Sequence, residues 1–278
     1  MIPAPFAYDR VTTLEDALAM LRDHASEAKV LAGGQSLLPL MKLRLARPER
    51  LIDIGRVGEL RGVEALPGGG LAIGALTTWA DLLADERVTS LGVLGDVLPR
   101  IADLQVRNRG TIGGSLVHAD PASDIAAPAL ALGAELVVRS TRGERMVPIG
   151  AFFVGAFTTA IEPDELLVEI RIPAGSPGVG SAYRSIEQPA SGYPLAGVAA
   201  LVGPETCAVA VTGVGEVPYR AGAVEAAVLD GASFTDAAAL ITEGQVVAAD
   251  IHADRAYRAD VAAVMTRRAL DAAAARAA

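Results

Sequence analysis

The chain has 278 residues, 51% hydrophobic and 21% charged, with 33 acidic against 24 basic side chains and a net charge of −9. The length holds two domains or one large one and the apolar fraction excludes disorder, while the acidic balance argues against non-specific nucleic-acid or anionic-membrane binding. The single cysteine, Cys207, excludes an internal disulfide, a thiolate zinc site or an iron–sulfur cluster made by this chain alone.

Met1 to Arg10 shows neither a basic n-region nor an apolar h-region, so a cytoplasmic protein is expected. No apolar run reaches the ~18 residues of a spanning helix, and the best candidate, Ile125 to Val138, is broken by Pro128 and Glu135. Thr12 and Glu15 read as a capping box, and Leu14, Ala17, Leu18 and Leu21 follow at helical spacing. Lys29 to Ala32 reads as a short strand that ends at Gly33-Gly34, with a helix from Leu37 to Leu45 that tolerates Pro39 in its first turn. Leu51 to Ile54 is a further strand. Pro67 to Gly70 is a turn before the strand Leu71 to Ile73, and Thr78 with Asp81 caps a helix whose character continues through Leu91 to Ile101.

Arg107 to Ser115 is glycine-rich and basic, and is followed by a helix from Asp124 to Leu132 and a strand from Glu135 to Ser140. After the strand Leu166 to Ile172, the Pro/Gly/Ser stretch 172–178 marks a domain boundary. Beyond it, Val198 to Val202 and Cys207 to Val214 read as antiparallel neighbours. Ala-rich helices close the chain, the last from about Arg255 to the C-terminus.

Two segments share one pattern: Ala32-Gly33-Gly34-Gln35-Ser36 and Thr111-Ile112-Gly113-Gly114-Ser115. Paired glycines let backbone approach a ligand and align successive N–H groups, and the following Ser adds a hydroxyl donor. Two such turns with matching flanks are what two loops gripping one diphosphate would need, although ordinary loops also contain Gly-Gly. Arg107 and Arg109 are suited to phosphate or a partner's carboxylates, or simply to a solvated loop. Asp120 reads as a turn or cap residue before Pro121, and Asp124 either accepts hydrogen bonds from sugar-type hydroxyls or caps a helix.

Other chemistries find no support. There is no G-x-G-x-x-G after a strand, no P-loop and no G-x-S-x-G elbow. His24, His118 and His252 are dispersed, so no metal site is expected, and Cys207 in an apolar strand reads as an inert core thiol.

The motif from Ala32 to Lys42 leading into Leu51-Ile52-Asp53-Ile54 resembles the flavin subunits of molybdenum hydroxylases, the family of the aerobic carbon monoxide dehydrogenase medium subunit and the xanthine dehydrogenases. Thr111 to Ser115 with Asp120 to Asp124 resembles the second family signature, and Gly213 to Ala221 the entry to the C-terminal helices. The resemblance runs from Ile2 to the last helix. It implies an α+β fold: a vanillyl-alcohol-oxidase, PCMH-type FAD-binding domain over 1–177, made of two α/β subdomains (about 1–57 and 58–177). A small C-terminal antiparallel sheet-and-helix domain over 178–278 completes it.

By the same resemblance, Ala32, Gly33, Gly34, Gln35, Ser36 and Leu37, with Thr111, Ile112, Gly113, Gly114 and Ser115, hold the FAD pyrophosphate. Asp120 and Asp124 serve the cofactor, Asp124 through ribityl or ribose hydroxyls. Leu167 falls where the chain passes near the flavin, and Tyr193 where a side chain approaches the isoalloxazine. The resemblance implies non-covalent FAD, no catalytic acid–base residue and no metal on this chain. It implies partners in a dimer of heterotrimers: a small subunit with 2Fe-2S clusters and a large subunit with molybdopterin. Electrons would pass from the clusters to the flavin and on to quinone, NAD or oxygen. Arg184 stands where related subunits often carry Lys. A stand-alone FAD-dependent oxidase or reductase of the same fold is the alternative.

Overall fold

The computed structural model describes residues 2–277 and builds three larger sheets in chain order, with one two-stranded hairpin besides. The first unit is β1 (Ala7–Arg10), α1 (Leu14–His24), β2 (Ala28–Leu31), α2 (Leu37–Lys42) and β3 (Arg50–Asp53), with a parallel sheet ordered β1-β3-β2. Leu14, Ala17, Leu18 and Leu21 are the buried stripe of α1, as their spacing predicts. Its cap is one residue later than expected. Thr13, not Thr12, accepts from the Asp16 N–H at 3.1 Å, and the Leu14 N–H is taken by Glu59.

The second unit contains β4 (Val63–Ala65), β5 (Leu71–Gly74), α3 (Trp79–Ala84), α4 (Glu86–Thr89), α5 (Gly92–Val97), α6 (Leu104–Arg107), α7 (Ile112–His118) and α8 (Ala126–Ala131). It continues with β6 (Glu135–Ser140), β7 (Gly143–Pro148), the small hairpin β8 (Phe153–Gly155) and β9 (Thr158–Thr159), and β10 (Leu166–Ile172). Five of its strands form an antiparallel sheet in the order β4-β5-β10-β6-β7. The capping box at α3 forms as read, with Thr78 and Asp81 reciprocally bonded. The single helix expected across Leu91 to Ile101 is instead α5 and a following 3₁₀ turn containing Pro99, since proline breaks the i→i−4 ladder.

The third unit is an antiparallel sheet of β11 (Gly180–Glu187), β12 (Pro194–Gly203), β13 (Thr206–Thr212) and β14 (Tyr219–Arg220), followed by α9 (Gly222–Leu229), α10 (Phe234–Ala238) and α11 (Arg255–Ala274). β12 pairs with β13 from Gly197–Thr212 to Gly203–Thr206, the neighbours the apolar runs predict. The last residue of the predicted C-terminal helix, Ala278, lies outside the described residues. One face of this sheet packs on α11 through Ala182, Val198, Ala262, Ala269 and Leu270; Tyr183, Ala199 and Ala210 on its other face join the core of the second unit. That continuity of cores makes the third unit a wall of the second.

Asp96 of α5 fastens the junction. Its carboxylate receives Arg184 Nη1 at 2.8 Å, Arg276 Nη1 and Nη2 at 2.9 Å, and the Tyr183 backbone N–H at 3.0 Å. Burial alone would raise the Asp96 pKa, but Arg276, the Tyr183 N–H and Arg184 together hold it below the usual carboxylate range.

Candidate functional site

The two diglycine segments meet. β2 delivers Ala32 to Ser36 at the end of the parallel sheet, and Gly33 lies so close to the backbone of Arg109 and Gly110 that a Cβ would fall 2.8 Å from the Arg109 carbonyl carbon. Gly34 has φ +76°, a left-handed conformation that glycine adopts without strain. Gly114 sits opposite Ala32, whose Cβ is 3.8 Å from where a Gly114 Cβ would be. The second segment is held by the stretch after β5: the Ile112 and Gly113 N–H groups donate to the carbonyls of Thr77 and Ala75, and Trp79 N–H donates to Gly110.

The two segments differ in what they leave free. Among the described residues, the N–H groups of Gly33, Gly34, Gln35 and Ser36 donate to no protein acceptor. Those of Ile112, Gly113, Gly114 and Ser115 are all engaged, the last two by the Thr111 hydroxyl and carbonyl. The sequence reads both segments as turns with aligned free amides, and for the second that expectation is corrected. Gly113 and Gly114 lie inside the first turn of α7, where backbone donors are consumed by the stretch after β5 and by the Thr111 cap. Gly113 is required there for contact with Ala75, since a Cβ would lie 2.6 Å from the Ala75 Cβ.

Between the segments lies a cavity of about 150 Å³ lined by Ala32, Gly33, Gly55, Arg61, Leu76, Thr78, Asn108, Arg109 and Thr111. Two guanidinium-bearing residues and no carboxylate-bearing one line it, in a chain of net charge −9. Arg109 is exposed and has no ion-pair partner among the described residues. Free backbone donors, absent Cβ atoms and unpaired guanidinium charge suit a phosphate-bearing group. The volume is well below the ~300–1,000 Å³ of a pocket that encloses a whole small molecule. Its size is that of a site for a diphosphate-sized group rather than for a whole dinucleotide.

Arg107, the other basic candidate, is spent on structure: its guanidinium holds the carbonyls of Ile101 and Ala102 at 3.1 and 2.6 Å. Arg61 and Gly55 also line the cavity, and no sequence pattern marks them. Neither lies in a motif, and only the return of the chain after β3 brings them to the cavity.

α7 leads away from the cavity for about 10 Å, at 1.5 Å per residue over seven residues. At its far end lies a second cluster. Asp120 accepts from the Ala122 N–H at 2.9 Å, the turn role read from its place before Pro121. Ser115 and Ser123 share a hydroxyl contact at 3.0 Å. Asp124 caps no helix, because α8 starts at Ala126 with Ile125 at its cap position; its Oδ1 instead accepts from the Tyr183 hydroxyl at 2.7 Å. Burial pushes the Asp124 pKa up to about 7 against the lowering effect of that hydrogen bond.

Tyr193 precedes β12 and is 47% exposed. Partial burial raises its phenol pKa, and the charges of Asp120 and Asp124 raise it further. The His118 ring packs against Phe157 at 5.2 Å between centroids, tilted by 51°, and burial lowers its pKa. Leu167 is 3% exposed and belongs to the core that contains Ile112 and Leu116, so it supports the site from behind. Gln35, Ser36 and Leu37 lead from the free amides into α2.

Cys207 is buried and its thiol is pushed up to about 11 by burial, which removes it as a nucleophile or tether. Among the described residues no three His, Cys, Asp or Glu side chains come together as a metal site, and no helix is long and apolar enough to cross a membrane.

The chain matches two family models. Residues 4–175 match the FAD binding domain in molybdopterin dehydrogenase, and residues 181–273 match the CO dehydrogenase flavoprotein C-terminal domain. It is 40% identical over 290 residues to the carbon monoxide dehydrogenase medium chain of Hydrogenophaga pseudoflava, covering 99% of each chain. It is 35% identical to the alpha subunit of the 6-hydroxypseudooxynicotine dehydrogenase complex of Paenarthrobacter nicotinovorans, covering 97% of this chain and 95% of that one. Its fold superposes with a TM-score of 0.93 and 39% identity, over 100% of both chains, on a chain of the carbon monoxide dehydrogenase structure from Hydrogenophaga pseudoflava that lacks the Mo-pyranopterin moiety of its cofactor.

Proposed function

The chain belongs to the family of FAD-binding medium subunits of molybdenum hydroxylases, and from that premise we propose that it is the electron-transfer flavoprotein of a three-component complex. It binds FAD without a covalent bond. It takes electrons from the 2Fe-2S clusters of a small partner subunit, which receives them from a large molybdopterin subunit, and delivers them to quinone, NAD or oxygen. The chain is the flavin link of a cytoplasmic oxidoreductase assembled as a dimer of heterotrimers. Bound FAD supplies the redox chemistry.

The protein's own task is to bind and orient. The free N–H groups of Gly33 to Ser36, with Arg109 and Arg61, neutralise the diphosphate; this convergence is the observation that carries the proposal. Leu37 continues the first segment into α2. Thr111, Ile112, Gly113, Gly114 and Ser115 form the opposite wall, and Asp120, Asp124 and Tyr193 meet the ribityl and ring end. Leu167 backs the wall from the core. We divide the chain into an FAD-binding domain over 1–177, with subdomains about 1–57 and 58–177, and a C-terminal domain over 178–278; the change from the first sheet to the second and from the second to the third supports these boundaries.

The test is the composition of the native assembly. A tagged chain isolated from its own cells should bring two further polypeptides, iron, molybdenum and one FAD per chain. A solitary, metal-free flavoprotein that turns over a substrate by itself would replace this reading with a stand-alone oxidase.

A further inference from the structure

The second cluster is built from two parts of the chain, and its deepest member belongs to the C-terminal sheet. Tyr183 on β11 is fully buried, and its hydroxyl reaches across to Asp124 Oδ1 at 2.7 Å. The sheet keeps room for that hydroxyl. Gly197 on β12 has no side chain where Tyr183 Oη passes, and a Cβ there would collide with it and stand 2.9 Å from Thr212 Cγ2.

Both partners are fixed. The Tyr183 N–H is held by Asp96 at 3.0 Å. The Thr212 hydroxyl lies 2.8 Å from the Pro121 carbonyl and 2.9 Å from that of Ser123, and the Gly213 N–H donates to Pro121. The segment that carries Asp124 is therefore stapled to the same sheet that carries Tyr183. Besides its own backbone N–H, Asp124 has no hydrogen-bond donor other than Tyr183 among the described residues, which leaves acceptor capacity on the second carboxylate oxygen for a ligand donor.

We infer that Tyr183 is a positioning residue of the FAD site: its buried hydroxyl holds Asp124 Oδ1 and so orients the free carboxylate oxygen toward a sugar-type hydroxyl of the cofactor. The inference rests on the proposed role of Asp124 in binding FAD. It makes the C-terminal sheet a part of the cofactor site.

The pair also sets a pH response. Around Asp124 stand Tyr183, Glu187, which raises its pKa, and Arg100, which lowers it and is bonded to Glu187 at 3.0 Å; Tyr193 and Asp120 complete the surroundings. The Tyr183 hydrogen bond favours the charged carboxylate, so its loss moves the Asp124 titration to higher pH.

The experiment measures FAD affinity of the full chain and of Tyr183→Phe, Asp124→Asn and the double variant from pH 5.5 to 8.5, with melting temperatures alongside. An oriented hydrogen bond is worth about a 3- to 10-fold change in Kd. Y183F should weaken FAD binding by about that factor and shift the pH step near 7 upward. D124N should abolish the step, and the double variant should bind no more weakly than D124N, because the two residues act as one unit.

Y183F that binds within twofold of wild type, with an unmoved step, overturns the positioning role while D124N still tests Asp124 separately. D124N that binds FAD normally overturns the Asp124 role as well, and a wild-type chain that binds no FAD overturns the flavin reading itself. A purely structural tyrosine would lower the melting temperature and leave the step in place. If Y183F does not fold, 3-fluorotyrosine at position 183 is the second variant. Its more acidic phenol should move the step downward, and an unmoved step overturns the inference.

Discussion

Gly33→Ala tests the meeting of the two segments more sharply than any charge change. The added Cβ would lie 2.8 Å from the Arg109 carbonyl carbon, 2.9 Å from Gly110 Cα and nearer still to the Arg109 carbonyl oxygen, all backbone atoms that no rotamer change can move. Carbon contacts relax at about 3.5 Å, so the segments must part by roughly 0.7 Å. Overpacking of this kind costs about 1–3 kcal/mol of stability.

The cost to ligand binding is larger. Hydrogen bonds to a charged acceptor are worth about 1.5–3 kcal/mol each, and a shift of that size misaligns one or two of the Gly33–Ser36 donors. The expected loss is about 2–4 kcal/mol, or roughly 30- to 1,000-fold in Kd. The assay is FAD titration by flavin fluorescence with a thermal melt in parallel. Gly150→Ala is the control, since nothing lies within 4 Å of that Cβ position. G33A that binds FAD within threefold of wild type would refute the reasoning.

Arg109→Ala should weaken FAD about tenfold at low salt, and the difference should shrink in high salt, because the guanidinium is exposed and screened. Asp96→Asn should lower the melting temperature by several degrees at pH 7, a partly exposed carboxylate with donors from three residues being worth about 1–3 kcal/mol. Because the folded Asp96 pKa is depressed, that stabilisation is present above the unfolded value of about 4 and is lost as pH falls through the folded one, so the gap between wild type and D96N should close in acid. Asp124 has the opposite sign. Its raised pKa makes the FAD-free wild type lose stability relative to D124N as pH rises from about 4 to about 7, measurable in urea melts. Cys207 should resist thiol reagents at pH 8 until the chain is denatured, when one equivalent should react.

Much of this architecture is legible in the residues because local and global signals agree. Leu14, Ala17, Leu18 and Leu21 mark their helix by period alone, and the strands Glu135–Ser140 and Leu166–Ile172 coincide with their apolar runs. β1 and β7 are not legible: their burial patterns are almost wholly exposed, so no apolar alternation announces them, and only pairing with β3 and β6 makes them strands.

At the site, the glycine motifs name the right segments but not their division of labour. Within Thr111-Ile112-Gly113-Gly114-Ser115 only the Thr111 cap on Gly114 and Ser115 is local; nothing in the motif says that the Ile112 and Gly113 amides are consumed, because their acceptors, Thr77 and Ala75, come from over thirty residues upstream. The same holds for Asp124. Its sequence neighbourhood reads as a helix cap, whereas its partner Tyr183 lies on a strand of another sheet and is brought there only by the packing of two cores.

The central claim is that the two segments form one FAD diphosphate cradle, and Trp79 offers a direct report. It is the only tryptophan, and its Nε1 stands 3.0 Å from where a Gly110 Cβ would be, immediately behind the cradle. Titrating the full chain with FAD should quench Trp79 fluorescence saturably at one equivalent, with ADP competing, riboflavin failing to compete, and all the flavin released on denaturation. Quenching by riboflavin as strong as by FAD, or none by FAD at all, would contradict the account.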